Sequence, residues 1–147
     1  MKVRELMTPD PEVVTPEEPI SRAAQIMREY DVGIVPVVSD PDSKSLIGVI
    51  TDRDIAVRHV ADSHMEDCTV GAHMTREDIE TVKETDDSTK VLDAMKRREV
   101  RRIPVTNDRG AVVGVVAQAD IAVTKEIPKE QVAEVVESIS EPAQPAR

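Results

Sequence analysis

Aromatic side chains are almost missing from this chain: there is no Phe, no Trp, and a single Tyr, Tyr30. A core must therefore be built from Val, Ile, Leu, Met and Ala, and the β-branched members of that set favour strands. The same lack removes the platforms on which single-stranded nucleic acids stack. A formal net charge of −10 opposes phosphate backbones and anionic membranes alike. The one cysteine, Cys68, has no partner for an internal disulfide. No apolar run approaches the roughly 20 residues that span a bilayer, and the opening MKVRELMTPD has no apolar export segment. Catalytic signatures are missing too: no P-loop, no H-E-x-x-H and no G-x-S-x-G. The expectation is a soluble, cytoplasmic, non-enzymatic protein of 147 residues, with neither nucleic acid nor membrane as partner.

What is present is said twice. GVITDRDIAV (48–57) returns as GVVAQADIAV (114–123), and VRELMT (3–8) returns as VGAHMT (70–75). AAQIMREYDVGIVPVV (23–38) matches VLDAMKRREVRRIPVT (91–106), with Met27 against Met95 and Pro36 against Pro104. Self-similarity on this scale marks a duplicated unit. The division that follows is 1–62 for the first copy, 63–127 for the second and 128–147 for a C-terminal helix and tail.

Each copy reads as β-α-β-β-α. Short strands fall at 12–15 and 79–82. Helices follow on apolar residues at helical spacing, Ile20, Ala23, Ala24 and Met27, then Val91, Leu92 and Met95. Pro19 suits the first turn of one helix, and Asp86, Asp87 and Ser88 offer capping oxygens to the other. IVPVV and RIPVT read as buried strands, the breaker-rich DPDS and NDRG as turns, and LIGVI and AVVGVV as strands leading to helices near Asp54 and Asp120. Strands interleaved with helices predict an α/β or α+β fold. One copy of about 60 residues buries too little surface alone, so two copies pressed sheet to sheet, with clefts between them, are expected.

The repeated phrase has a chemistry of its own. A strand ends at Ile50, Thr51 occupies the turn and a helix begins near Asp52 to Asp54. Such a turn presents backbone N–H groups and a helix dipole that favour phosphate. The Thr51 hydroxyl adds a donor, and the Asp54 carboxylate has acceptors for a ribose diol. The same two residues also read as an ordinary helix N-cap.

The doubled h-x-P and G-h-h-T-x-x-D-I patterns resemble the CBS-domain pair, or Bateman module, and in particular its small stand-alone bacterial members of the hypoxic-response type. The resemblance covers the chain to about Thr124. It implies tandem repeats in pseudo-two-fold arrangement and usually a flat homodimer. It also implies regulatory binding of adenosyl compounds (AMP, ADP, ATP, S-adenosylmethionine, sometimes NADH) rather than a required cofactor. On this sequence the ribose carboxylate falls on Asp54 and, in the second copy, on Asp120; the hydroxyl that contacts phosphate or ribose falls on Thr51. Adenine is expected between Val14 and Thr15 on one side and Ile34 and Pro36 on the other, with Pro104 as the matching position in the second copy. Ala117 stands where a second Thr or Ser belongs. Loss of a charge-assisted hydrogen bond costs about 1.5–3 kcal/mol, so one cleft is expected to bind more strongly than the other. Arg102, with Arg101 beside it, precedes the second h-x-P strand, where members of the family face phosphates, and Arg53 and Arg58 add charge near Thr51.

Two features lie outside that scheme. Lys96, Arg97 and Arg98 read as a solvated helix face. All the histidines and the one cysteine, His59, His64, Cys68 and His73, fall within residues 59–73. Imidazole and thiolate suit zinc, but no C-x-x-C or H-x-x-x-H pair is present, and the expectation is no metal, with this set as the alternative. PKEQVAEVVESIS (128–140) places Val132, Val135, Val136 and Ile139 on one helical stripe, which needs either the module's own surface or a second subunit. Two functions remain open. One is a regulatory adenosyl-ligand sensor acting on an unidentified partner protein. The other is a dimeric interaction or stress-response protein without such a ligand, with metal held by the His/Cys segment as a variant.

Overall fold

The computed structural model describes residues 1–62 and 68–141 as a mixed α+β fold. The helices are α1 (Val3–Leu6), α2 (Ile20–Tyr30), α3 (Asp52–Asp54), α4 (Val70–His73), α5 (Ser88–Arg98), α6 (Gln118–Val123) and α7 (Lys129–Ser140). A π-helical turn, Ile55–Val60, continues α3. The strands are β1 (Thr8–Pro9), β2 (Ile34–Val38), β3 (Leu46–Thr51), β4 (Val82–Lys83), β5 (Arg102–Thr106) and β6 (Val112–Ala117). No helix among the described residues is long and apolar enough to cross a membrane.

Two compact units form, and they do not follow chain order. One comprises Met1–Pro9, Glu80–Val105 and the chain from Gly114 onward. The other comprises Asp10–Ile79 and Thr106–Val113. Each unit takes its short leading helix from the opposite copy, for a backbone reason. In the first unit, the N–H groups of Val3 and Arg4 donate to the carbonyls of Asp86 and Glu84 (2.9 and 3.0 Å), and Ser88 N–H donates to Met1 O (2.8 Å). In the second, Val70 and Gly71 N–H groups donate to the carbonyls of Glu18 and Pro16, both at 2.9 Å. The free N–H groups of each short helix are thus satisfied by a loop far away in sequence.

In the first unit the sheet order is β1-β6-β5-β4, with Thr8 opposite Val115 and Pro9 opposite Gly114. Asp87 caps α5, its carboxylate accepting from the Thr89 N–H (3.1 Å) and hydroxyl (2.9 Å). Neighbouring Asp86 accepts from the Lys83 N–H (2.9 Å) and pairs with Lys90 (3.2 Å), and these contacts hold its carboxyl below the usual carboxylate range. Val91, Leu92, Ala94 and Met95 are buried along α5. The helix α7 packs on α5 and α6 of its own unit, burying Val135 and Ile139 and leaving Val132 and Val136 half-buried. The apolar stripe therefore meets its own unit.

The second unit is built on the antiparallel β2–β3 pair, with Ile34 opposite Thr51, Pro36 opposite Val49 and a bulge between Val37 and Val38. All five residues of β2 are buried, as expected of a strand covered on both faces. Its core contains Val14, Ile20, Ala23, Ile26, Val35, Val37, Ile50, Val70 and Met74. Several local expectations are corrected here. Pro19 is the N-cap of α2 and not its first helical residue. Ile26 is fully buried where Ala24 is exposed and Met27 only half-buried, because the buried face advances through 20, 23 and 26. Of residues 12–15 only Val14 pairs, in a single parallel bridge to Val37, because the neighbouring prolines 11 and 16 restrict strand bonding. At 79–82 the strand begins only at Val82.

Thr75 lies against β3, its N–H and C=O bonded to Val49 in both directions at 2.8 and 3.0 Å. That approach requires a glycine at 48. A Cβ there would lie 2.1 Å from Met74 Cε and 2.7 Å from Thr75 O. Gly48→Ala is expected to cost about 1–3 kcal/mol by overpacking, and its thermal midpoint should fall about 2–4 °C per kcal/mol at this chain length. A melting temperature equal to the parent's would contradict the tight approach.

Candidate functional site

The turn after β3 is held by two reciprocal hydrogen bonds. Asp54 N–H donates to Thr51 Oγ1 (3.1 Å), and Thr51 N–H donates to Asp54 Oδ2 (3.0 Å). This is a capping box: two otherwise unpaired donors are satisfied at once and the strand-to-helix angle is fixed. The Thr75 hydroxyl, 3.3 Å from both Asp54 oxygens, donates to the same carboxylate. Arg58 Nε lies 3.7 Å from Asp54 Oδ1, and Arg58 Nη1 donates to the Met74 carbonyl at 3.4 Å. Asp54 is only 8% exposed, and these partners satisfy its buried oxygens.

Val14, Thr15, Ile34, Pro36, Thr51, Arg53 and Asp54 all belong to the second unit. Val14 N–H donates to Pro36 O (3.1 Å), Thr15 N–H donates to Glu18 Oε2 (2.7 Å), and Ile34 pairs with Thr51. Asp52 N–H donates to Gly33 O at 3.0 Å, which ties the turn to the start of β2. Arg53 is exposed on α3. Arg102, Pro104 and Asp120 belong to the other unit. There, Arg102 opens β5 half-buried, Pro104 is buried, and Asp120 Oδ2 accepts from the Ala117 N–H at 2.7 Å. An alanine methyl accepts nothing in return, so the second copy keeps half of the box. The basic run serves the fold: Lys96 pairs with Glu134 (3.6 Å), and Arg97 and Arg98 both pair with Glu80.

Thr75 escaped the sequence reading as a partner of Asp54, although it ends the repeated VGAHMT phrase. Arg58, expected to add charge near Thr51, lies beside Asp54 and donates to the Met74 carbonyl.

A second cluster stands beside the first. One ligand atom each from His59, Cys68 and His73 lies within 4.8 Å of the others. The two imidazoles meet edge to face with centroids 5.2 Å apart. Among the described residues His59 Nδ1 is buried without a hydrogen-bond partner, a state that costs about 1–3 kcal/mol. His59 lies on the π-helical turn, where Ala61 N–H donates to Ala56 O, a widening often found at functional sites. His73 ends α4, and Cys68 O accepts from Ile20 N–H (3.0 Å), which anchors the thiol-bearing residue to the start of α2. Two imidazoles and a thiol are a zinc donor set. A tetrahedral zinc wants its donors roughly 3.3–3.6 Å apart, closer than the 4.8 Å within which these three lie. His64 lies outside the described residues.

The missing half of the box in the second copy makes a measurable difference. Ala117→Thr should gain, and Thr51→Ala lose, about 0.5–2 kcal/mol in urea unfolding. Unchanged midpoints for both variants would show that neither hydroxyl position caps its helix.

Comparison with known proteins accords with this geometry. The model of the CBS domain matches residues 3–59 and 70–124. Hypoxic response protein 1 of Mycobacterium tuberculosis is 32% identical over 139 residues, covering 95% of this chain and 94% of that protein. A crystal structure of Hypoxic Response Protein I with two coordinated zinc ions superposes with a TM-score of 0.74 at 31% identity, over 87% of this chain and all of that one. The CBS-domain pair of protein MJ0100, in complex with 5′-methylthioadenosine and S-adenosyl-L-methionine, superposes at 0.72 with 29% identity, over 83% of this chain and 93% of that one. The two repeats are CBS domains, and the chain belongs to the CBS-domain family as a pair.

Proposed function

We propose that this CBS pair is a non-catalytic binding module that holds a zinc ion on His59, Cys68 and His73. The observation that carries the reading is the convergence of these three donors within 4.8 Å, one of them an orphaned buried nitrogen. A bound metal accepts what the fold leaves unsatisfied, and three protein donors leave a fourth position for water or a further side chain. The similar Hypoxic Response Protein I carries coordinated zinc. The ion's part is to cross-link the π-helical turn, the segment before α4 and the end of α4. Binding only to the folded state adds stability, about 2.7 kcal/mol at a hundredfold excess over Kd.

Purified protein should retain or take up zinc at this site. Chelation should lower its melting temperature, and both Cys68→Ser and His73→Gln should abolish the response. Protein that is zinc-free as purified, takes up none in calorimetry and melts identically with and without chelator would contradict the assignment.

A second reading concerns the neighbouring turn. Val14, Thr15, Ile34 and Pro36 gather with Thr51 and Asp54 in one unit, and the pair from MJ0100 binds adenosyl compounds. This supports an adenosyl ligand whose ribose meets Asp54, with Thr51 and the exposed Arg53 toward any phosphate. The counterpart built on Asp120 and Pro104, with Arg102 in the same unit, would be weaker because Ala117 supplies no hydroxyl. Regulation would then be a population shift read by a partner protein. A homodimer is the expected assembly, supported by the exposed valines at matching positions of the two closing helices, Val57 (49%) and Val123 (79%). Calorimetric titration with AMP and S-adenosylmethionine should give binding in the parent, weakened at least tenfold in Asp54→Asn. Equal affinity in the variant would remove Asp54 from the site.

A further inference from the structure

Resting on the homodimer expected above and naming its surface, we infer that two copies meet through α7, the two helices lying antiparallel across a two-fold axis near Ala133. The CBS match ends at residue 124, so α7 lies beyond the second repeat.

The flanks of α7 are unequally covered. Val135 and Ile139 are buried against its own unit. On a second flank Glu134 pairs with Lys96 of α5 at 3.6 Å. The third flank carries Lys129, Val132, Ala133, Val136 and Glu137 and faces a groove of about 710 Å³, whose other wall includes Ala122 and Val123 of α6. This i, i+3, i+4, i+7, i+8 spacing makes one continuous stripe, the form in which a helix offers itself to another helix. Its apolar members stay open to solvent: Val123 is 79% exposed, Ala122 and Ala133 are exposed, and Val132 and Val136 are half-buried.

The charges at the two ends of the stripe select the occupant. Lys129 and Glu137 are both exposed, and neither has an ion-pair partner among the described residues. They stand eight positions apart, about 12 Å along the helix, too far to pair with each other. A second α7 running antiparallel sets the partner subunit's Glu137 against Lys129 and the partner subunit's Lys129 against Glu137, so two equivalent ion pairs form at once. A parallel copy in register would set like charge against like. The axis then falls midway between the charges, at Ala133, where a methyl side chain lets two helices approach closely. Val132 and Val136 flank the axis, and Val123 lies across the groove. A contact of this kind uses the same patch on both copies and closes at two subunits.

Sedimentation equilibrium of the full chain should show a dimer that dissociates on dilution, more readily at high salt. Lys129→Glu and Glu137→Lys each turn both ion pairs into like-charge pairs and should raise the dissociation constant about tenfold. The double variant exchanges the signs and should return to within about threefold of the parent. Each substitution suits the helix dipole at its own end of α7, and parental helix content in far-UV circular dichroism separates loss of the dimer from loss of the helix. Ala133→Arg should leave a folded monomer. A parent chain that is monomeric at about 0.1 mM removes the homodimer and this surface together. Dimers of parental affinity in Lys129→Glu, Glu137→Lys and Ala133→Arg keep the homodimer and overturn this surface. Single variants that weaken the dimer while the double variant stays equally weak overturn the antiparallel pairing.

Discussion

The second unit is organised around one buried carboxylate. Asp54 closes the turn after β3 by accepting the Thr51 N–H, and through Thr75 and Arg58 it also fastens the chain that follows α4 to the chain that follows α3. A buried charge persists only when its partners are close and well directed. Here those partners come from three separate stretches, so the carboxylate acts as a junction between them. The carboxylate joins the strand β3, the π-helical turn and the end of α4 alongside the Thr75–Val49 backbone bonds and the Arg58–Met74 bond, and His59, Cys68 and His73 are carried on or beside the same stretches.

The two copies differ at this junction. The first copy keeps both halves of its capping box and has the His59, Cys68 and His73 cluster beside it. The second keeps the aspartate bond and replaces the threonine with Ala117. The position equivalent to His59 is Lys125, and Leu6 stands where His73 does. An aliphatic residue in place of His73 turns the corresponding helix end into plain core, and Leu6 is indeed buried. Duplication thus supplied two scaffolds, of which one carries the polar cluster.

Much of this was legible in the chain. The doubled phrases gave the repeat, the h-x-P segments gave buried strands, and the T-x-x-D spacing pointed to the turn that Thr51 and Asp54 make. Other features were not legible because they depend on distant parts of the chain. The exchange of leading helices rests on backbone bonds such as Val3 to Asp86 and Val70 to Glu18, and backbone groups carry no residue code. Thr75 looked like the tail of a repeated phrase until the fold set it against Asp54. His59 and His73 are 14 residues apart and match no short ligand motif, yet a helical turn and a short helix end bring them together. The Ile26 face of α2 was missed for a simpler reason: Ala24 and Met27 fit the helical period nearly as well.

Amide hydrogen exchange at Thr51, with Ala117 as internal control, tests the junction most directly. Both N–H groups donate to an aspartate three residues ahead, but among the described residues only Asp54 is also held by a threonine hydroxyl and an arginine, Thr75 and Arg58. Zinc addition is predicted to slow exchange at Thr51 and to leave Ala117 unchanged. Zinc that binds while Thr51 exchanges at its original rate, or that protects both amides equally, would contradict the account.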